Sequence, residues 1–322
     1  MAGSRGVPRT SPPGTRAPRI EWRRVDGVLL LDKPLGLTSN AALQRVRRLY
    51  RAERAGHSGT LDPLATGLLP VLFGEATKFG AEMLAADKRY RATIALGART
   101  STGDAEGEVI ERHPVDVARA GVETVLRRFV GRIEQTPPMY SALKRAGRPL
   151  YAYARAGETV EREPRTVTIH ELRLEAFAGA SLEVDVRCSK GTYIRTLAED
   201  IGAALGCGAH LGALRRIEVG PFRLGEAHAL AALECASEAE RFERLLPVDR
   251  LLAHLPPVAL EPGAAERFAH GQSVMAPAGP PSGPLRVYGP GGTLLGVGDC
   301  NADGLVRPRR LVRQDAKACE PP

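Results

Sequence analysis

The sequence of 322 residues predicts a mixed α/β body followed by a small all-β module. Two patterns predict the body: segments in which apolar and polar residues alternate, as in strands, and longer segments with helical spacing of apolar residues. The third observation is a segment of about seventy residues, rich in glycine and proline, with only short apolar runs. We therefore expect four parts: a disordered basic tail at 1–24, the body at 25–249, the β module at 250–315 and a short tail at 316–322.

The first elements of the body are a strand and a helix. The run GVLLLDKP at 27–34 predicts a short buried strand that its proline ends. The segment TSNAALQRVRRLYRA at 38–52 begins with residues that cap helices, and its apolar residues share one helical face. We expect this helix to bury that face and to expose the arginines of the other.

The later elements of the body follow from the same patterns. YRATIALGART at 90–100 and SLEVDVRCS at 181–189 alternate as strands do. The second strand runs through Lys-Gly-Thr into a predicted helix, YIRTLAEDIGAAL, that Gly206 ends. Further helices are predicted near 117–130 and 226–246.

Composition and charge restrict the classes of function. No apolar run approaches the roughly 18 residues of a membrane span, and no apolar block marks a signal peptide, so we expect a cytoplasmic protein. The five cysteines lack the spacing of metal ligands, so we expect reduced thiols and no metal. The net charge of +8 comes from the two ends, while 40–58 is basic and 226–249 acidic. A basic face opposite an acidic one suits RNA, but such runs are equally typical of solvated helices.

The stretch GHSGTLDPLATGLLP at 56–70 is the strongest candidate for a site. Pro63 disfavours a helical backbone at Asp62, and the neighbouring glycines allow tight turns. The apolar run at 68–73 anchors the loop in the core, so the carboxylate has a fixed direction. Taken alone, the pattern is also typical of a turn or helix-cap aspartate, and His57 of a solvated histidine.

Several familiar catalytic motifs are absent from the sequence. It contains neither the glycine-rich nucleotide-binding motifs nor the Gly-x-Ser-x-Gly motif of serine hydrolases. Gly-Thr-Leu-Asp is similar to fragments of aspartyl-phosphate enzymes, but in those the aspartate precedes Gly-Thr and metal-binding acids accompany it. We therefore expect no nucleotide cofactor.

The motif GHSGTLDPLATGLLPVLFGEATK at 56–78 resembles the catalytic motif of the TruB family of pseudouridine synthases, which isomerise a uridine in the T loop of tRNA. Further matching motifs occur in the family's order: LLLDKPLGLTSN (29–40), DKRYRATIALGARTSTGDAEGEV (87–109), QTPPMYSALKRAGRPLYAYARAGETVEREPR (135–165), VRCSKGTYIRTLAEDIG (186–202) and LGALRRIEVGPF (211–222). Ser58, where threonine is more usual, and the N-terminal tail depart from the family pattern. So does the loop MAPAGPPSGP at 275–284, which puts the end module's RNA contacts in doubt.

The resemblance implies an architecture. The catalytic domain at 25–249 would be a mixed, largely antiparallel sheet flanked by helices. An insertion at about 135–165 would grip tRNA directly, and the module at 250–315 would be a PUA-like RNA-binding module. Five of the six lysines lie in or beside these motifs, which suggests a need for compact ammonium groups.

The resemblance also assigns roles to six residues. Asp62 is the nucleophile, attacking either the sugar or the base, and Arg195 pairs with it and keeps it ionised. Tyr90 stacks on the uracil and helps to move a proton. His57 fills the gap left by the flipped base, and the residues that pack around that base are Tyr193 and Leu214.

The implied reaction breaks the N1–C1′ bond of uridine and rejoins the base through C5, with nothing oxidised or hydrolysed. The resemblance thus implies a monomeric enzyme that acts on position 55 in the T arm of tRNA, without cofactor, metal, membrane or guide RNA. Three alternatives stay open: a catalytically silent RNA-binding or RNA-folding protein on the same fold, a guide-RNA-dependent synthase, and a metal-dependent aspartyl phosphatase.

Overall fold

The computed structural model describes residues 20–141, 143–277 and 279–313. The predicted tail at 316–322 and most of the tail at 1–24 lie outside the described residues. Residues 20–24 do not continue a disordered tail, because Arg23 N donates to Arg51 O at 2.7 Å and its guanidinium pairs with Glu238 at 2.6 Å. The folded body therefore begins earlier than predicted.

The strands and helices follow one another along the whole described chain. The strands are β1 (Gly27–Lys33), β2 (Ala55–His57), β3 (Ala65–Phe73), β4 (Lys88–Leu96), β5 (Ala98–Thr100), β6 (Val109–Arg112), β7 (Gly131–Gln135), β8 (Lys144–Arg145), β9 (Arg148–Pro149), β10 (Arg165–Ala178), β11 (Ser181–Cys188), β12 (Ala209–Val219), β13 (Phe222–Arg223), β14 (His228–Ala229), β15 (Pro257–Ala259), β16 (Val274–Met275), β17 (Gly283–Tyr288), β18 (Leu294–Cys300) and β19 (Leu305–Leu311). The helices are α1 (Ser39–Leu49), α2 (Gly80–Ala85), α3 (Arg119–Arg128), α4 (Leu150–Arg155), α5 (Ile194–Ala204), α6 (Leu230–Cys235), α7 (Glu238–Glu243) and α8 (Pro262–Ala269). None of these described helices combines the length and apolar character that crossing a bilayer requires.

One mixed sheet, of ten strands in the described part of the chain, forms the body. Its strands lie in the order β14-β1-β3-β12-β4-β11-β10-β7, with β2 paired to β3 and β13 to β12. Most neighbours are antiparallel, whereas β12 is parallel to β3 and β14 is parallel to β1. The predicted mixed, largely antiparallel sheet with flanking helices is therefore confirmed.

The continuous apolar runs of β1 and β3 reflect a sheet that is covered on both faces. In β3, Leu69, Val71 and Phe73 pack in one apolar cluster, and Leu68 and Leu72 pack in another on the opposite face. Because successive side chains of a strand point to opposite faces, both sets must be apolar. Helix α1 covers the first face and begins as predicted, with the Thr38 hydroxyl accepting a hydrogen bond from Ala41 N at 3.0 Å.

Two predicted elements are interrupted in the structure. The helix predicted near 226–246 is wrong as a single element, because α6 ends at Cys235 and the Ser237 hydroxyl caps a separate helix, α7. The strand predicted at 90–100 divides at Gly97, whose φ of +85° turns the chain between β4 and β5. In both places a residue suited to a helix start or a turn overrides the longer apolar pattern.

The C-terminal module has its own sheet and apolar core. Its five described strands lie in the order β15-β17-β18-β19-β16, which confirms the predicted β module. The module also contains α8, a helix that the sequence analysis did not predict, and its Phe268 is fully buried in the module's core. The described residues between Met275 and Gly283 belong to no strand or helix, in agreement with the predicted loop.

Candidate functional site

A cavity of about 540 Å³ lies where β4 and β12 meet the loop that follows β2 and the first turn of α5. Five of the six site residues predicted from the sequence line this cavity: Asp62, Tyr90, Tyr193, Arg195 and Leu214. Residues of the insertion at 135–165 also contribute to its wall. The volume is in the range of small-molecule sites.

The loop between β2 and β3 holds Asp62 through its backbone. The buried hydroxyl of Ser39 accepts a hydrogen bond from Leu61 N at 2.7 Å and donates one to Leu61 O at 2.9 Å. The carbonyl of Asp62 accepts a hydrogen bond from Ala65 N at 3.0 Å. The residue before Asp62 and its own peptide are therefore fixed, which limits the directions in which the carboxylate can point.

Arg195, in the first turn of α5, forms an ion pair with Asp62, with 3.1 Å between Nη2 and Oδ2. Its guanidinium also donates to Thr102 O at 3.0 Å and to Tyr140 O at 2.5 Å, and its Nε lies 3.7 Å from a carboxylate oxygen of Asp104. The Arg195 side chain is 6% exposed and that of Asp62 is 43% exposed. A locked, buried cation thus orients a carboxylate that remains open to the cavity.

The pKa of the Asp62 carboxyl is raised above its usual 3.8. Burial is the largest cause of the rise. The nearby cation of Arg195 lowers the pKa, the carboxylate of Asp104 raises it further, and the cation of Lys33 lowers it again. A raised pKa makes the carboxylate more basic than a free one. The ion pair at 3.1 Å favours the ionised form, which is the form that can act as a nucleophile.

Aromatic and aliphatic side chains surround this carboxylate. Tyr90 is 9% exposed, and burial raises the pKa of its phenol. Tyr193 precedes α5, and its backbone is held on both sides by the buried amide of Gln135, which accepts from Tyr193 N at 3.0 Å and donates to Tyr193 O at 3.3 Å. Leu214, on β12, lies opposite Ala92 of β4. Such walls suit a flat, partly apolar ligand such as a nucleobase.

His57 lies apart from the other predicted residues. It is on β2, opposite Val71, and it does not line the cavity. Burial and the nearby Arg216 lower the pKa of its imidazole, which favours the neutral ring. Its Nδ1 is buried and has no hydrogen-bond partner among the described residues.

Two buried lysines give the predicted need for compact ammonium groups a structural basis. Lys33 is fully buried and donates to the carbonyls of Pro34 and Leu37 at 2.9 and 2.6 Å. Lys88, on the cavity wall, donates to three carbonyls at the end of α2, at distances from 2.5 to 3.1 Å. Burial lowers the pKa of each to about 8. Three converging carbonyls match the three protons of an ammonium group.

Four residues around the site were not identified from the sequence: Ser39, Asp104, Gln135 and Arg216. Each acts on the backbone or on another side chain, and residues of these types occur throughout the chain, so no local pattern distinguishes them. Among the described residues, no group of three or more histidine, cysteine, aspartate or glutamate side chains is arranged to hold a metal ion.

Comparison with protein families gives three matches along the chain. A model described as TruB family pseudouridylate synthase (N terminal domain) matches residues 47–194. The tRNA pseudouridylate synthase B C-terminal domain matches 195–253, and a model described as Pseudouridine synthase II TruB, C-terminal, matches 256–312.

Curated proteins and solved structures are similar over most of the chain. The tRNA pseudouridine synthase B of Dechloromonas aromatica (strain RCB) is 60% identical over 91% of this chain and 97% of its own length. That of Burkholderia mallei (strain ATCC 23344) is 56% identical over 92% of this chain and 96% of its own. A chain of a Cbf5-Nop10-Gar1 complex superposes with a TM-score of 0.67 at 27% identity, covering 86% of this chain and 79% of its own. A chain of an H/ACA RNP bound to a substrate RNA containing 2′-deoxyuridine gives 0.68 at 25% identity, covering 89% and 85%.

Proposed function

Because the chain belongs to the TruB family of pseudouridine synthases, we propose that it isomerises uridine to pseudouridine at position 55 in the T loop of tRNA. The observation that carries this proposal is the pair of Asp62 and Arg195, 3.1 Å apart, at the wall of a cavity lined by Tyr90, Tyr193 and Leu214. A half-exposed carboxylate that a buried cation orients is suited to attack on a ligand in the cavity.

The reaction needs one nucleophile and no water. Asp62 attacks the sugar or the base as the N1–C1′ bond breaks. The bond between Asp62 and the substrate breaks again when the detached base has rejoined C1′ through C5, and N1 takes up a proton to balance the one that C5 loses. The C5 proton leaves in the last step, and the Tyr90 phenol, on the cavity wall, is in a position to help transfer it. Because the base itself replaces water as the acceptor of C1′, a second carboxyl is not required.

The uridine must leave its stack to reach Asp62, because a base inside a folded loop cannot enter the cavity. Tyr193 and Leu214 pack on the flipped base, and His57 fills the gap that it leaves in the tRNA. His57 is half-buried beside the cavity rather than in its wall, so this role requires contact with the RNA outside the cavity.

The parts of the chain divide the work. Residues 25–249 form the catalytic domain, and the insertion at about 135–165 grips the T arm with exposed basic residues such as Lys144 and Arg145. Residues 250–315 add RNA contacts through a PUA-like module, whose strand β19 exposes Arg307, Arg309 and Arg310.

The protein acts as a monomer in the cytoplasm, without guide RNA, metal or other cofactor. The high identity to proteins named tRNA pseudouridine synthase B supports recognition of tRNA without a guide. The intact pair of Asp62 and Arg195 supports catalysis over a silent RNA-binding role, since such a pair has no use in binding phosphates.

The test is to incubate an unmodified tRNA transcript with the protein alone, in the presence of EDTA. We expect a modification at position 55 that leaves the mass unchanged and reacts with carbodiimide, and we expect none with Asp62→Asn. Binding without modification would favour the silent RNA-binding protein. Modification only after addition of a guide RNA would favour the guide-dependent synthase, and loss of activity in EDTA would favour a metal-dependent enzyme.

A further inference from the structure

Arg216 is a fully buried arginine on β12, directly beside the site. It is 1% exposed. In the sheet its backbone lies opposite Tyr90 of β4 on one side and opposite Gly67 of β3 on the other. Its side chain forms part of the cavity wall. The residue is therefore placed between the strand that carries the phenol and the strand that follows the Asp62 loop.

The guanidinium of Arg216 joins the start of the loop that carries Asp62 to strand β3. Its Nε donates to Leu68 O at 2.7 Å and its Nη2 donates to Gly59 O at 3.1 Å. These two carbonyls lie on either side of Asp62 in the sequence. One planar, rigid group thus fixes the distance between the start of the loop and β3.

Two glycines allow the loop to approach Arg216 closely. A Cβ on Gly67, which has a φ of +100°, would lie 2.3 Å from Arg216 O, and a Cβ on Gly59, with a φ of +84°, would lie 3.3 Å from Arg216 Nη1. Both backbone conformations favour glycine. Gly67 therefore allows β3 to pair closely with the backbone of Arg216, and Gly59 allows the loop to approach its guanidinium.

Burial of this cation is costly. Arg195 has the carboxylate of Asp62 as a partner, but the described residues provide Arg216 with no carboxylate partner. Burial lowers the pKa of Arg216, and the nearby phenol of Tyr90 opposes this. Arg216 in turn opposes the rise that burial causes in the pKa of Tyr90. The other titratable groups around that phenol are Cys188 of β11 and Asp62, and both of them raise its pKa.

We propose that Arg216 is a positioning residue for the isomerisation, which holds the Asp62 loop and the Tyr90 phenol in the relation that the chemistry needs. The inference rests on the proposed function. The guanidinium of Arg216 bonds the loop that carries Asp62, and its backbone lies opposite Tyr90 in the sheet, so its removal displaces Asp62 relative to the phenol. Its effect belongs to the chemical step, whereas tRNA affinity comes from exposed basic residues elsewhere.

The test compares Arg216→Lys with Arg215→Lys, the same substitution at the next residue of β12. Arg215 lies on the other face of the strand, is 42% exposed and pairs with Asp32 at 2.7 Å. With tRNA bound and the protein in excess, we expect Arg216→Lys to lower the single-turnover rate constant about 100-fold. We expect its tRNA dissociation constant to stay within roughly threefold of wild type, and Arg215→Lys to stay near wild type in both measurements.

Chemical rescue and a second variant complete the test. We expect millimolar methylguanidinium, but not methylammonium, to restore part of the single-turnover rate of Arg216→Ala. Should the Arg216 variants not fold, Gly59→Ala crowds the same contact from the loop and must lower the single-turnover rate with tRNA affinity retained.

The outcomes separate this inference from the proposed function. Wild-type protein that forms no pseudouridine contradicts the proposed function. Active wild type, with an undiminished rate in folded Arg216→Lys or in Gly59→Ala, overturns the role of Arg216. Methylguanidinium that raises the unfolding temperature of Arg216→Ala without raising its rate also overturns it, because that result is the signature of a purely structural arginine.

Discussion

At the scale of single residues, the site is ordered before RNA arrives. Arg195 is held by the carbonyls of Thr102 and Tyr140 and lies beside the carboxylate of Asp104, so the cation that orients Asp62 is already fixed. Polar groups that are fixed in advance need no reorganisation during a reaction, which is the main way in which proteins stabilise charge in transition states. In the proposed reaction, the exposed carboxylate attacks and the buried guanidinium orients it.

Substitution of Asp62, the proposed nucleophile, tests this division. We expect Asp62→Asn to lower pseudouridine formation by at least about 10³-fold, because an amide is a very poor nucleophile. tRNA affinity should be unchanged, since it comes from phosphate contacts at other surfaces. The free energy of unfolding should not fall, because burial raises the pKa of Asp62 and the ionised carboxylate therefore does not stabilise the folded state, while the amide oxygen can still accept a hydrogen bond from Arg195.

Pseudouridine yield, tRNA affinity and thermal unfolding are measured on one preparation. Substantial residual isomerisation in Asp62→Asn would contradict the nucleophile assignment. Loss of binding together with activity would contradict the separation of catalysis from recognition.

The raised pKa of Asp62 predicts how the reaction depends on pH. The carboxylate must be ionised to attack, so the single-turnover rate should fall as the pH drops through a pKa above 3.8. Arg195 lowers this pKa, so Arg195→Gln should raise it and move the acid limb of the profile to higher pH. The rate is measured with bound tRNA from about pH 5 to pH 8. An acid limb that moves to lower pH in Arg195→Gln would contradict the assignment.

At the scale of elements, the loop between β2 and β3 is held by two side chains from neighbouring segments. Ser39, at the start of α1, bonds both backbone groups of Leu61, and Arg216 bonds the carbonyls of Gly59 and Leu68. These hydrogen bonds restrict the movement of the loop that carries Asp62.

Two buried serines provide a matched test of this anchoring. Ser39→Ala leaves the N–H and C=O groups of Leu61 unpaired, so we expect it to lower the free energy of unfolding by about 1–3 kcal/mol and to slow the single-turnover reaction. Ser58 is equally buried, but its hydroxyl has no hydrogen-bond partner among the described residues. Ser58→Ala should therefore change stability by less than about 0.5 kcal/mol. Urea unfolding of both variants checks this, and equal losses would contradict the role of Ser39.

The elements that the sequence predicts well are those in which the local pattern and the final environment agree. The capped helix α1 and the apolar strands β1 and β3 are of this kind. The segment at 226–246 is not, because its apolar spacing continues across a break that Ser237 caps.

In the site, Asp62 and Arg195 are recognised through family motifs, whereas Gln135 bonds the backbone of Tyr193, a residue 58 positions away. Contacts between distant segments leave no local signature.

At the scale of the whole molecule, the C-terminal module is attached to the body by both apolar and polar contacts. Val297 of β18 packs in the same apolar cluster as Leu251 and Phe79, and Lys78 donates to Leu311 O at 3.0 Å. Deletion of the module would therefore expose apolar surface of the body. A lower tRNA affinity could then result either from lost RNA contacts or from lost stability. Point substitutions at the junction separate the two effects.

Glu75 is the central residue of this junction. Its carboxylate is 8% exposed, lies 2.5 Å from Lys78 Nζ and accepts a hydrogen bond from Arg313 N at 2.6 Å. Burial by itself raises the pKa of Glu75, but the bonds from Lys78 and Arg313 outweigh it, and the pKa lies below the usual 4.5. A lowered pKa means that the ionised carboxylate stabilises the folded state. This contribution is fully present above about pH 4.5 and is lost as the pH falls through the lower, folded value.

Glu75→Gln should loosen the junction without touching the cavity. We expect it to lower the free energy of unfolding by about 1–3 kcal/mol at neutral pH, with a difference from wild type that shrinks at acid pH as wild-type Glu75 becomes protonated. If the module contributes RNA contacts, tRNA affinity should fall several-fold while the saturated rate stays near wild type.

The control is Glu82→Gln on α2, where the exposed carboxylate of Glu82 faces His254 at 3.4 Å. This substitution should change the free energy of unfolding by less than about 0.5 kcal/mol. Thermal unfolding at neutral and acid pH, with binding and rate on the same preparations, gives the result. A fall in the saturated rate as large as the fall in affinity would contradict the division of labour between body and module.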